Sequence, residues 1–209
     1  MSNDKFSNWF GYDHDCVSAS APTVNAPVIT NIDWNDFDMT SSCSNGGASI
    51  TAHGFVISPS NSTPTIGGTA TSQYQDTSIG QTSFSFNGTL LSINATTTYY
   101  VRAYATNSVG TTYSQVVTVE TYRRGHVLRK DTSKFGIDTV CTGLTTQTYY
   151  FDSGAASGVE LQQGNTPYLN ANPSNNSKPT DSTLWLSDGN WKRRWGGGTA
   201  SWTSSATQC

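Results

Sequence analysis

The side chains that could carry acid–base, nucleophilic or metal chemistry are scattered along this chain. The three histidines stand in three different segments, namely His14, His53 and His126. No Gly-x-Ser-x-Gly motif marks a serine nucleophile, and the carboxylates of the stretch 33–38 match the spacing of no calcium-binding loop. The sequence therefore predicts no catalytic residue, no metal site and no cofactor, and we expect a protein that is not an enzyme.

The four cysteines lie far apart, and no Cys-x-x-Cys pair suggests a zinc site. Two of them, Cys141 and Cys209, bracket the last part of the chain, and the ends of a small domain often lie close together. One interpretation is that these two cysteines are bonded or adjacent. The alternative is that they are free structural thiols. Both interpretations stay open at this stage.

The composition predicts which elements position these side chains. Of the 209 residues, 75 are Thr, Ser or Asn and only 12% are charged, which suits pleated sheets and turns and suits helices poorly. The 24 aromatic residues supply large surfaces for burial. No apolar run approaches the roughly 18 residues of a membrane span, and the N-terminus lacks the apolar core of a secretory signal. We expect a soluble, all-β protein.

Residues 27–122 have the pattern of a β-sandwich. Polar and apolar residues alternate there, with turn signals about every 8–12 residues. The clearest strand is 99–106, in which Tyr99 and Val101 share one face and Tyr100 and Arg102 share the other. Such alternation predicts sheets with one buried and one exposed face.

The same residues carry a resemblance to a known family. The stretch 94–113, Asn-Ala-Thr-Thr-Thr-Tyr-Tyr-Val-Arg-Ala-Tyr-Ala-Thr-Asn-Ser-Val-Gly-Thr-Thr-Tyr, resembles the last two strands of a fibronectin type III-like domain. The upstream stretch 46–65 is similar to the subtype common in surface proteins of Bacteroidota and in virion proteins of their phages. This resemblance implies an Ig-like sandwich in which Tyr99 is the tyrosine corner, its hydroxyl tying a loop to the sheet edge. Ile93 and Ala95 depart from the Leu and Pro usual in the family.

Residues 139–209 predict a second, small β-rich module. It is similar to short C-terminal modules that recur in the same bacterial and phage proteins. Because it has few aliphatic residues, its tryptophans are expected to supply much of its core. The alternative is an exposed aromatic platform that contacts a glycan or a protein. The residues in question are Trp185, Trp191, Trp195 and Trp202.

Charge changes sign along the chain. Residues 1–122 hold two basic groups against eight acids, a net of −6, and residues 123–209 hold nine against six, a net of +3. The change begins at a basic segment, 123–138, which we expect to be a solvated connector or an electrostatic contact with an acidic partner. No aromatic residues interleave with its cations, so nucleic acid is not the expected partner. The cations are Arg123, Arg124, Arg129, Lys130 and Lys134.

Residues 1–26 are interpreted as an N-terminal arm and linker. Four aromatic residues cluster near its start, and leaving them in water is unfavourable. They are followed by the small-residue stretch 18–27, whose Pro22 and Pro27 predict an extended linker. We therefore expect the arm to dock on a partner chain through Phe6, Trp9, Phe10 and Tyr12.

These features and the resemblance together suggest a non-catalytic phage virion structural protein. It would be a capsid decoration or auxiliary protein, or a component of a head or tail appendage. It would be present in multiple copies and bound to the major capsid protein or to appendage subunits in the virion, which is assembled in the host cytoplasm. The alternative is a carbohydrate-binding or adhesion module of a bacterial surface protein, with a host-surface glycan as its partner.

Overall fold

A computed structural model describes residues 18–131, 146–151, 166–169, 171–180, 184–187, 191–196, 201–202 and 207–208. Strands dominate these residues, and the one short helical turn among them is a 3₁₀ turn at Gly88–Leu90. In this part of the chain no helix is long and apolar enough to cross a lipid bilayer. The all-β, sandwich-like fold class expected from the composition is confirmed.

The first sheet is built around β3 (Asp38–Ser44), which pairs with other strands along both of its edges. The strands β1 and β2 pair with successive parts of one edge, and β6 pairs with the other edge. Pro27 stands between β1 and β2, and proline at a sheet edge leaves no ladder donor unpaired. The strands are β1 (Thr23–Val24), β2 (Val28–Thr30), β3 (Asp38–Ser44) and β6 (Ser83–Phe86).

The second sheet is antiparallel and has the order β5-β4-β7-β8, with β9 also paired to β7. Its central strands β4 and β7 are more buried than its other strands, as expected for strands with a neighbour on both sides. The strands are β4 (Ala52–Ser58), β5 (Ser72–Asp76), β7 (Thr98–Thr106), β8 (Thr111–Tyr113) and β9 (Val117–Glu120).

The core of the sandwich lies between these two sheets. Every strand side chain in it comes from the inward face of a strand, because successive side chains alternate across a sheet. Aromatic rings fill much of the space, and Phe55 packs against Phe84 with ring centroids 5.2 Å apart. The buried cluster consists of Phe37, Met39, Phe55, Ile57, Phe84, Leu91, Tyr99, Val101, Ala103 and Val119.

Residues 18–26 are part of this sandwich, so the prediction that they form an extended linker is wrong. The backbone N–H of Ser20 donates to the carbonyl of Gly46 at 2.8 Å, and β1 pairs with β3. Small side chains and an edge position allow a stretch rich in Ser, Ala and Pro to add to a sheet. The strand β5 was not predicted, because Tyr74 is its only apolar residue.

A third, six-stranded sheet follows the sandwich in the order β11-β10-β12-β13-β14, with β15 also paired to β13. Its described core residues share one sheet face: Leu128, Tyr149, Phe151 and Leu186. The strands are β10 (Arg124–Asp131), β11 (Thr146–Phe151), β12 (Leu184–Ser187), β13 (Trp191–Gly196), β14 (Ser201–Trp202) and β15 (Thr207–Gln208).

One of the two expectations for the segment 123–138 was a solvated connector, and over 124–131 this expectation is wrong. These residues form β10, which pairs with β11 along one edge and with β12 along the other. Leu128 is only 2% exposed. The segment forms a strand because Val127 and Leu128 favour β structure and Leu128 is buried, in spite of the flanking charges.

Candidate interaction surface

The N-terminal segment enters the sandwich at the end where β7 finishes. Asn107, the residue after β7, donates from its side-chain amide to the carbonyls of Ser20 at 2.7 Å and Asn45 at 2.9 Å. Three chain segments are therefore pinned together at this end. The aromatic residues predicted to contact a partner, Phe6, Trp9, Phe10 and Tyr12, lie outside the described residues.

The chain leaves the sandwich at the opposite end, where β7 begins. The N–H of Thr121 donates to the carbonyl of Thr97 at 3.1 Å, and the N–H of Tyr122 donates to that of Asp33 at 3.0 Å. The next residue, Arg123, donates its N–H to the carbonyl of Ala171 at 2.8 Å. Three successive residues are thus hydrogen-bonded through their backbone N–H groups. Thr121 and Tyr122 bind the sandwich, and Arg123 binds the loop that contains Ala171.

Arg123 does not present its charge to an external partner, so that part of the electrostatic prediction is wrong. The residue is 3% exposed. Its guanidinium donates to the carbonyls of Asn172 at 2.9 Å and Asn175 at 3.1 Å, and it lies 3.6 Å from the ring centroid of Tyr168. An arginine is buried when its donors are satisfied and its face is stacked, and both conditions hold here.

The remaining basic residues of the segment have different surroundings. The guanidinium of Arg124 lies over the ring of Trp34, 4.7 Å from its centroid. Lys130 donates from Nζ to the side-chain oxygen of Gln147 at 2.8 Å. Arg129 occupies a position in β10 opposite Ser187, and Lys134 lies outside the described residues. Contact of these four with an acidic partner stays a prediction.

The four tryptophans fall in the strands of the third sheet. Backbone register pairs Trp195 of β13 with Leu184 of β12 and with Trp202 of β14, and it pairs Trp191 with Gln208 of β15. Trp185 of β12 pairs with Arg194 of β13. A contact with glycan or protein through these tryptophans stays a prediction.

Tyr99 ties a loop to the sheet, as expected from the sequence. Its side chain is buried, and its hydroxyl accepts a hydrogen bond from the N–H of Asn94, five residues upstream, at 2.9 Å. The ring also packs near Phe37, with centroids 6.3 Å apart. The hydroxyl thus fixes the turn that leads into β7.

A groove of about 400 Å³ lies beside this corner. Short polar side chains such as Ser72, Ser92 and Asn94 line it together with Ile57 and Ile93. The only side chain of its lining that can ionise is that of Tyr99, whose hydroxyl is already hydrogen-bonded. The groove thus offers shape and hydrogen bonding but no acid–base pair.

The acidic stretch 33–38 serves the sandwich itself. The Asp38 carboxylate accepts hydrogen bonds from the Gly88 N–H at 2.8 Å and from the Asn31 amide at 2.6 Å, and these bonds lower its pKa. Burial raises the pKa of Asp36, and the charges of Asp33 and Asp38 raise it further. The Asp38 carboxylate therefore holds Asn31 and Gly88 in place beside β3.

His53 is packed in the sandwich with its ring stacked on Phe84 at 4.6 Å. Its Nε2–H donates to the carbonyl of Ser78 at 2.8 Å, and its Nδ1 has no hydrogen-bond partner among the described residues. His14 is outside those residues, and His126 belongs to β10 of the third sheet. In the part of the chain that the structure describes, no three His, Cys, Asp or Glu side chains converge as metal ligands would.

Of the four cysteines, the structure describes Cys43. It is a free, half-buried thiol of β3, and burial raises its pKa. A raised pKa keeps the thiol protonated and unreactive near neutral pH. Cys141 and Cys209, the proposed pair, lie outside the described residues together with Cys16.

Two features at the junction had no signal in the sequence. The loop that surrounds Arg123 lies about 50 residues further along the chain. Trp34, which stacks with Arg124, lies 90 residues before it. A comparison of the chain with protein-family models finds no match, and a comparison with curated proteins finds no significant one.

Proposed function

We propose that this chain is a non-catalytic virion structural protein of a phage. It would decorate the capsid or form part of a head or tail appendage. The observation that carries the proposal is that the chain enters the sandwich at one end of β7 and leaves it at the other. A unit with this geometry keeps its N-terminal and C-terminal neighbours apart, as a spacer on a particle surface must do.

We further propose that the sandwich is fibronectin type III-like. Two antiparallel sheets that enclose one core, with a buried tyrosine whose hydroxyl binds the backbone a few residues upstream, support this assignment. Such domains act as display units in the virion proteins that the sequence resembles. The same assignment would also suit the alternative function, a surface adhesin.

In this proposal the N-terminal arm attaches the protein to the particle. The arm precedes Ser18, at the end of the sandwich away from the third sheet. Its four aromatic residues would dock on the major capsid protein or on an appendage subunit, and the third sheet would face the medium. Multiple copies would then display the third sheet at a constant height above the particle.

Two experiments test the proposal. Mass spectrometry of purified virions, compared with secreted and cell-surface fractions of the same culture, should find the chain in virions. Deleting residues 1–17 should leave the unfolding temperature unchanged and abolish co-sedimentation with particles, with a Val28→Ala variant of the full chain as the control. Recovery in the surface fraction, together with binding on a glycan array, would replace the proposal by the adhesion module.

A further inference from the structure

The loop 171–177 and the ring of Tyr168 contact one guanidinium group, that of Arg123. The Arg123 guanidinium donates from Nη1 to the carbonyls of Asn172 and Asn175. It donates from Nη2 to the carbonyl of Pro173 at 3.3 Å and to the side-chain oxygen of Asn176 at 2.8 Å. All four of these acceptors are uncharged oxygens. We call Tyr168 and residues 171–177 the guanidinium receptor.

The guanidinium receptor is shaped by its own hydrogen bonds. The Asn172 side chain accepts from the N–H of Ser174 at 2.9 Å, and that of Asn175 accepts from the N–H of Ser177 at 3.1 Å. These Asx turns direct the carbonyls of the loop inward. Tyr168 and Tyr150 exchange two backbone hydrogen bonds, at 3.0 and 2.8 Å, which attach the receptor to β11 of the third sheet.

Only an arginine side chain fits this arrangement. Its planar group has five donors in a fixed fork and stacks on an aromatic ring, whereas the lysine ammonium has three donors and no planar face. Tyr168 provides the ring, at 3.6 Å from the Arg123 Cζ. The chemistry of the receptor is therefore specific for a guanidinium.

The neighbouring arginine engages the sandwich. Arg124 stacks on Trp34, and the backbone N–H of Tyr122 binds the carbonyl of Asp33 in the same loop. Two consecutive arginines thus contact two different units, Arg123 the receptor of the third sheet and Arg124 the loop of the sandwich. A junction held on both sides has little freedom to bend.

We propose that the guanidinium receptor is a binding site for an arginine side chain, occupied by Arg123, and that its occupation locks the third sheet to the sandwich as one rigid body. The proposal does not depend on the virion role, because it rests on the junction contacts alone. It predicts that an empty receptor releases the third sheet to move independently.

The first test uses ¹⁵N relaxation of the full-length protein in solution. In the wild type, amides of β4 and β7 should report the same rotational correlation time as those of β10 and β11. In Arg123→Ala the third sheet should show the shorter correlation time. Arg102→Ala is the matched control, since Arg102 stacks on Tyr113 and binds the Ser114 carbonyl within the sandwich. It should leave the two correlation times equal.

The second test is chemical rescue of the empty receptor. Millimolar ethylguanidinium, far below the concentrations at which guanidinium unfolds proteins, should restore a single correlation time in Arg123→Ala, and ethylammonium should not. Arg123→Lys should behave like Arg123→Ala because lysine lacks the fork.

Two correlation times in the wild type would overturn the proposal, and this measurement does not depend on any variant. A single correlation time in a folded Arg123→Ala or Arg123→Lys protein would also overturn the lock. Rescue by ethylammonium as effective as that by ethylguanidinium would overturn the specificity for a guanidinium.

Discussion

The sandwich and the third sheet achieve burial in different ways. The sandwich encloses ten described core residues between two sheets, whereas the described core of the third sheet is four residues on one face. Next to the third sheet a charged group is buried as well, that of Arg123 within its loop. An apolar core stabilises a unit on its own, but a buried charge stabilises only the arrangement that satisfies it. The sandwich is thus expected to be stable by itself and the third sheet to depend on the junction.

The largest expected effects come from removing a core side chain from each unit. Phe55→Ala should lower the free energy of unfolding of the sandwich by about 3–5 kcal/mol, because it leaves a cavity under Phe84. Leu186→Ala should lower the stability of the third sheet by about 2–5 kcal/mol. Native-state hydrogen exchange measures both effects strand by strand.

Whether the sandwich is stable independently of the third sheet is tested by which strands lose amide protection. Leu186→Ala should reduce amide protection in β10 and leave protection in β4 and β7 unchanged, because the sandwich has its own core. An equal loss of protection in β7 would mean that the chain unfolds as one cooperative unit, and the sandwich would then not be stable independently of the third sheet.

A somewhat smaller loss of unfolding free energy is expected from Gly54→Ala in β4. The backbone of Gly54 has a φ of +156°, and a Cβ there would overlap the carbonyl oxygen of Tyr74 in β5. Backbone strain and overpacking together should cost about 2–3 kcal/mol. Urea denaturation followed by tyrosine and tryptophan fluorescence measures the loss. Gly110→Ala, where a Cβ meets open space, should stay within about 0.5 kcal/mol of the wild type.

Tyr99→Phe removes one hydrogen bond and leaves the ring in place. The Asn94 N–H loses its acceptor, so the sandwich should lose about 1–2 kcal/mol. Thermal unfolding monitored by circular dichroism gives the value, and Tyr100→Phe on the same strand is the control. A loss indistinguishable from zero would show that water replaces the hydroxyl and that the corner contributes no stability.

The smallest expected effect concerns pH. The pKa of Asp38 is lower in the folded protein than in the unfolded chain. The ionised carboxylate therefore stabilises the folded state above a pH of about 4, and this stabilisation is lost as the pH falls through the folded pKa. Asp38→Asn should therefore reduce the loss of stability between pH 7 and about pH 3, measured as the shift of the urea midpoint.

Asp36 provides a matched control of opposite sign. Its pKa is raised in the folded protein, so protonation favours the folded state and Asp36→Asn should not weaken the protein at pH 7. If Asp38→Asn and Asp36→Asn shift the pH dependence in the same direction, the hydrogen bonds to Asp38 do not distinguish the two carboxylates of this loop.

The sequence predicted the central strands of the sandwich better than its edges. The expected strand 99–106 corresponds to Thr98–Thr106, because its two faces have clearly different polarity. The strand β6 ends at Phe86, because Asn87 caps a 3₁₀ turn with its side chain. The edge strand β5 is polar on both faces at all positions except Tyr74, so periodicity could not detect it.

The candidate site was predictable only in part, for a similar reason. Tyr99 was identified because its role depends on a local motif, five residues from its partner. Arg123 was misjudged because its burial depends on a loop about 50 residues away. A basic residue among other basic residues is usually solvated, and no local pattern distinguishes the exceptional one that a distant loop encloses.

The placement of the entry and exit of the sandwich has a consequence for how such a chain can change in length. Nine residues of β7 separate the two ends, a distance of about 30 Å. A tandem duplication of this unit would join the exit of one copy to the entry of the next. Each added copy would lengthen the chain by one step in the same direction and leave the structures at both ends intact.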